Sequence, residues 1–154
     1  MKDCELCREA GGRLLWRDGF CRVVAVDEPG LPGFLRVILE RHEREMTDLG
    51  EAERVRLMNV VFAVERHVRR ALQPDKVNLA SLGNLAPHLH WHVIARWQDD
   101  RYFPRPIWAA PLHQDPVPAA RAAAAAEMLR TLGEALGRQG APRSLTDDGS
   151  SSVP

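Results

Sequence analysis

Residues 88–96 read His-Leu-His-Trp-His-Val-Ile-Ala-Arg. On an extended chain successive side chains point to opposite faces, so His88, His90 and His92 share one side. Leu89, Trp91, Val93 and Ala95 share the other and need an apolar layer to face. The alternation predicts a strand over 88–96, in a sheet with one face covered.

The rest of the chain supplies the cover. Cys21–Asp27 is rich in β-branched residues and runs into the turn-like Glu28-Pro-Gly-Leu-Pro-Gly33, which predicts a strand followed by a tight connection. Phe34–Leu39 is a second strand, and Lys76–Leu82 a third, before the histidine strand. Between them Leu57, Val61, Val64, Val68 and Leu72 recur at spacings of 4, 3, 4 and 4, the stripe of one long helix. Asp48 and Glu51 form the expected capping pair, and Pro74 ends the helix. Strands on both sides of one amphipathic helix predict an α+β fold, an antiparallel sheet with the helix packed on one face. After a proline-broken stretch, Pro118–Gly137 is a second, alanine-rich helix whose larger apolar residues are Met128, Leu129, Leu132 and Leu136. Residues 1–110 are therefore expected to form the main domain and 111–140 a helical extension. Residues 141–154 have the composition of a disordered tail.

At 154 residues the chain has room for one core. Lys plus Arg (21) balances Asp plus Glu (21), so a non-specific nucleic-acid binder is excluded as an expectation, while a small anionic ligand is not. No apolar run approaches the roughly 18 residues of a membrane span, and the first residues lack a secretory apolar stretch. Three cysteines, an odd count, fit a reducing compartment, and the expected location is cytoplasmic.

The histidine row has three physical uses. It can be a solvated polar face. An i, i+2 pair can share a zinc ion, although all three cannot, because Cα atoms four residues apart on a strand are separated by roughly 13 Å. Or a neutral imidazole, with its ordinary pKa near about 6.5, can attack phosphorus as a covalent nucleophile. Cys4-Glu-Leu-Cys7, taken alone, is compatible with zinc, with redox chemistry or with neither. Cys21 reads as a buried small residue, His67 as an exposed helix residue and His113 as a loop residue. Arg96 is either a surface charge at a strand end or a phosphate contact.

The run His88-x-His90-x-His92 with apolar residues between resembles the signature of the histidine triad (HIT) nucleotide hydrolases and transferases. So do the strand and turn from Asp27 to Phe34, the His42 loop entering the helix, and the strand carrying Asn78. The resemblance covers about residues 4–108 and looks like a bacterial HIT-like protein. It implies that His90 is the nucleophile at the α-phosphorus of a nucleotide and that His92 binds the phosphate and assists the leaving group. It further implies that Asp27 contacts the ribose and that Asn78, Asn84 and His88 help hold the nucleotide. Implied substrates are dinucleoside polyphosphates or nucleoside phosphoramidates, with no catalytic cofactor. In some relatives a CxxC pair, a histidine before the helix and the first histidine of the motif bind structural zinc; the matching residues here are Cys4, Cys7, His42 and His88. Relatives pair as homodimers through the long helix and adjoining strand, and the second apolar set Met58, Val60 and Phe62 suits such pairing. One departure stands out. Many members carry Gly-Gln-Ser/Thr before the triad, where this chain has Gly83-Asn84-Leu85. Leu85 offers no hydroxyl, which keeps open a non-catalytic nucleotide-binding scaffold, beside a zinc-dependent hydrolase that uses two triad histidines as ligands.

Overall fold

The computed structural model describes residues 4–139; the expected disordered tail at 141–154 lies outside the described residues. Five strands, β1 (Arg13–Arg17), β2 (Cys21–Ala25), β3 (Leu35–Leu39), β4 (Lys76–Ala80) and β5 (His90–Arg96), form one antiparallel sheet in the order β1-β2-β3-β5-β4. The helices are a single turn, α1 (Glu5–Arg8), the long α2 (Glu51–Leu72) and α3 (Ala119–Gln139). No described helix is long and apolar enough to cross a membrane.

One face of the sheet is the core. Val23, Leu35, Val37, Leu39, Val77, Val93 and Ala95 are buried there beneath the predicted α2 stripe, and all five stripe residues are buried. The opposite phase of the same strands carries the polar groups, because side chains alternate. In the β3–β5 ladder Ile38 faces His90 and Arg36 faces His92. Helix α3 is not an appendage. Ala125, Met128, Leu132 and Leu136 belong to the same core cluster as the sheet, with Leu129 packed partly buried against it. Gly133 is what allows that approach, since a Cβ there would lie 2.5 Å from the Leu15 carbonyl oxygen. Gly33, with φ +77°, turns the chain into β3 where a Cβ would meet Leu72 and Met128.

Several expectations need correcting. The sequence reading has four strands; β1 is the fifth, and its register slips between Leu14 and Trp16, which hides the period of two. Asp48 and Glu51 do not cap α2. Asp48 accepts the Glu45 N–H at 3.1 Å and closes a 3-10 turn, while Gly50 is the N-cap, its N–H donating to Glu53 at 3.1 Å. β4 stops at Ala80, short of Leu82; β5 starts at His90 and not at His88, and just before it Leu89 turns its N–H to the Glu43 carbonyl at 2.7 Å. His67 is half-buried in the α2–α3 seam, with Nε2 3.3 Å from the Thr131 hydroxyl. Cys21, by contrast, is fully buried as expected, and burial pushes its thiol up to about 12.

Candidate active site and metal centre

The site is built on the polar face of β2, β3 and β5, where three arginines also stand. Arg22, 2% exposed, donates to the carbonyls of Leu6 (2.6 Å), Glu9 (3.2 Å) and Ala10 (3.0 Å), and to Glu40. It thereby holds the N-terminal segment against the sheet. Leu6 adds an apolar anchor beside Val24 and Ile38. The single turn of α1 brings Cys4 and Cys7 together, and the clamp places both over the start of β5.

There they meet two histidines. Nδ1 of His88 lies 3.5 Å from Cys4 Sγ and 3.4 Å from Cys7 Sγ; Nδ1 of His42 lies 3.3 Å from Cys7 Sγ. The four ligand atoms are all within 4.8 Å of one another. Zinc bonded to sulfur at about 2.3 Å and nitrogen at about 2.0–2.1 Å in a tetrahedron needs S···N separations of about 3.5 Å, which three of the four sulfur–nitrogen pairs already show. Nε2–H of His88 donates to the Leu39 carbonyl at 2.7 Å, fixing the tautomer that leaves Nδ1 as the free lone pair. Two thiolates and two imidazoles form a closed donor set of the structural kind. Both ring nitrogens of the fully buried His88 thus face protein atoms.

His90 and His92 stand apart from that cluster, with ring centroids 4.8 Å apart. Nδ1 of His90 lies 2.6 Å from the His88 carbonyl oxygen. A carbonyl only accepts, so Nδ1 carries the proton and the lone pair sits on Nε2. Ser81 donates to the His90 carbonyl at 2.9 Å and pins the same backbone from the β4 side. Burial lowers the His90 pKa, with the Arg36 charge adding to the effect. For His92 burial, His90 and Arg36 together depress it to about 3, so the ring is neutral near pH 7. His92 lies between Phe34 (5.6 Å) and the half-exposed Trp108 (5.2 Å), and its buried Nδ1 has no partner among the described residues.

The other expected residues are dispersed. Asn78 is on β4 beside Ile94, its Oδ1 accepting from Arg96 at 2.7 Å. Asn84 and the fully exposed Leu85 lie in the loop before the triad, Asn84 lining a polar cavity with Arg44 and Ser81. Asp27 is exposed past the end of β2, in a cavity between the β2–β3 connection and α3. Arg96 is neither a surface charge nor free for phosphate. It is 2% exposed and bonded to Asp100, Asn78 and the Arg105 carbonyl. Two residues of this face escaped the sequence reading. Asp100 organises the loop after β5, and its signal is an Asp followed by two residues whose N–H groups it can cap. Arg36 left a plainer trace, a lone charge inside the apolar strand Leu35–Leu39.

A match to the HIT domain spans residues 8–99. The chain belongs to the HIT domain family. A histidine triad protein from Bradyrhizobium japonicum has the same fold, with TM-score 0.64 and 30% identity over 84% of this chain and 90% of that one. A zinc-bound histidine triad family protein from Mycobacterium smegmatis superposes with TM-score 0.60 at 20% identity, over 90% of this chain and 98% of that one. Among curated relatives, an AP-4-A phosphorylase of Mycobacterium tuberculosis (strain ATCC 25618 / H37Rv) is 33% identical over 81 residues. That segment is 49% of this chain and 42% of the relative, so less than half of the phosphorylase is matched. The HIT match begins at residue 8, which leaves Cys4 and Cys7 outside it; their link to His42 and His88 comes from the geometry.

Proposed function

We propose that this HIT protein is a nucleotide hydrolase or transferase that works through a covalent nucleotidyl–His90 intermediate. The observation that carries the reading is the 2.6 Å contact of His90 Nδ1 with the His88 carbonyl, which aims an Nε2 lone pair away from the backbone. In the first displacement Nε2 forms a bond to the α-phosphorus and the bond to the leaving group breaks, P–O in a dinucleoside polyphosphate and P–N in a phosphoramidate. His92, neutral, contributes its ring N–H as a hydrogen-bond donor to the phosphate or the leaving atom. In the second displacement water or phosphate takes the nucleotidyl group and His90 regains its lone pair. The substrate class is a dinucleoside polyphosphate or a nucleoside phosphoramidate, and the phosphorylase resemblance favours the former. Asp27, Asn78 and Asn84 are assigned to the nucleotide by resemblance, and Asn78, whose Oδ1 already accepts from Arg96, would offer it the Nδ2 donors.

The test is product analysis with diadenosine tetraphosphate and an adenosine phosphoramidate, with and without inorganic phosphate. Attack by water on adenylyl–His90 gives AMP; attack by phosphate gives ADP. Tight nucleotide binding with neither product would instead support the scaffold reading, which the exposed Leu85 favours.

The Cys4, Cys7, His42 and His88 set fits structural zinc, which would tie the N-terminal segment to the strand that carries His90. That role predicts about one zinc per chain. Zinc at roughly 1,000 times its Kd contributes about 4 kcal/mol to the folded state, or roughly 8–16 °C of melting temperature at this size. Removal by chelator, or Cys4→Ala, is expected to lower the melting temperature by that order. Activity of the apo-protein, assayed where it is still folded, should fall far less. Loss of all activity from the folded apo-protein, restored by zinc, would instead support a catalytic metal.

Pairing as a homodimer is part of the same proposal. β4 is an edge strand and Phe62 of α2 is 44% exposed, while Met58 and Val60 pack partly against the core. Isologous pairing through this edge and helix would cover both.

A further inference from the structure

We propose that Arg36 is a catalytic residue of this site, the permanent cation that binds the non-bridging oxygens of the phosphate attacked by His90; the inference rests on the nucleotidyl-transfer reading above.

Position comes first. Arg36 is the register partner of His92 across the β3–β5 ladder, and the next pair on that face is Ile38 with His90. Partners in an antiparallel ladder project from the same face, so the guanidinium stem and both imidazoles rise side by side. Phe34 forms a common wall, its ring 5.8 Å from the Arg36 guanidinium carbon and 5.6 Å from the His92 ring.

Saturation separates Arg36 from the other two arginines of the face. Arg22 is spent on three carbonyls and Glu40. Arg96 is spent on Asp100, Asn78 and the Arg105 carbonyl. Arg36 makes one side-chain hydrogen bond among the described residues, NH1 to the Gly11 carbonyl at 3.2 Å, and its buried Nε has no partner there. Among the described residues no carboxylate comes within ion-pair distance of it. Arg36 is half-buried, and a buried Nε–H left without a partner is costly to keep. A bound phosphate would supply what is missing, since the guanidinium fork matches phosphate oxygens.

Chemistry gives the cation its task. Attack by Nε2 gathers negative charge on the non-bridging oxygens while the bond to the leaving group breaks. His92 is neutral in the free protein and can offer only a hydrogen bond. Arg36 brings the charge, and it stays protonated throughout, neither giving nor taking a proton.

The full chain tests this with Arg36→Met, which keeps an unbranched stem, and Arg36→Lys, which keeps the charge. Calorimetric titration compares AMP with adenosine, and turnover is followed on diadenosine tetraphosphate. In Arg36→Met, AMP affinity should fall at least about tenfold with adenosine affinity unchanged, and kcat should fall by about 10²–10³. Arg36→Lys should recover part of the AMP affinity. A purely structural role would weaken both ligands together, and that outcome would overturn the inference; so would unchanged AMP binding. If Arg36→Met does not fold, Arg36→Gln is read by the same AMP-to-adenosine comparison. The wild-type protein separates the two levels. An adenylyl–His90 adduct with normal AMP binding in Arg36→Met removes Arg36 alone, whereas no AMP binding and no adduct in the wild type removes the functional reading and this inference together.

Discussion

His90→Asn is expected to reduce turnover to background, a loss on the order of 10⁶ where a covalent nucleophile carries the reaction, while nucleotide binding persists. Asparagine retains an amide of similar reach and leaves the neighbouring charges as they are. What disappears is the one lone pair that the His88 carbonyl, holding Nδ1–H at 2.6 Å, leaves available for phosphorus. The neighbours are not equivalent to His90. His92→Asn should slow turnover by about 10²–10³, the range for loss of one positioned hydrogen-bond donor to the developing charge. His88→Asn should act through stability, since both its ring nitrogens serve the cysteine cluster and Leu39. Steady-state rates and nucleotide titration of the three variants separate these outcomes. Near-normal turnover in His90→Asn would sink the assignment.

Asp100→Ala is expected to be the most damaging substitution outside the site. The Asp100 carboxylate accepts from Arg96 (2.6 and 3.1 Å) and from the N–H groups of Trp97 (3.2 Å), Tyr102 (2.8 Å) and Phe103 (2.8 Å). Side-chain exposure is 2% for Arg96 and 1% for Asp100. Removing one member of such a pair strands a buried charge and costs about 3–5 kcal/mol, or roughly 6–20 °C of melting temperature at this length. Burial alone would raise the Asp100 carboxyl, but Arg96 and the backbone donors outweigh it and hold it below its ordinary value. A carboxyl lowered in the folded state stabilises fully above its unfolded pKa of about 3.9. That contribution is lost as pH falls through the folded value. Melting curves from pH 7 downwards should therefore show a constant gap between wild type and Asp100→Ala above about pH 5, and a gap that narrows as pH falls below the unfolded pKa of about 3.9 towards the lower folded value. A loss below about 1 kcal/mol at pH 7 would show that the pair is not what holds the loop after β5.

Much of this was legible in residue order because it rests on period. The α2 stripe from Leu57 to Leu72 and the division of residues 88–96 into polar and apolar faces follow from 3.6 and 2.0 residues per repeat, and the sheet honours both. β1 was not legible. Leu14, Leu15 and Trp16 run together across an irregularity that only pairing with β2 imposes. The α2 cap differs from the expected one because Asp48 has a nearer backbone donor at Glu45, and the glycine in its place has no side chain to betray a cap. Arg96 and Asp100 stand four apart, but a turn between Trp97 and Asp100 folds them into contact, and a single turn has no period to read. The cysteine–histidine cluster was read from a family likeness. Only the folded chain puts Cys4 and Cys7 beside His88, 84 and 81 residues away.

The central claim, that His90 becomes covalently nucleotidylated, is open to one direct measurement. Wild-type protein is mixed with excess diadenosine tetraphosphate, quenched during turnover without acid, and weighed intact before being mapped by peptide. A nucleotidyl-histidine has a phosphoramidate bond, so the account predicts one adenylyl group on His90, stable in base and lost in acid. An adduct on another residue, or an unmodified protein throughout active turnover with His90→Asn still turning over, would contradict it.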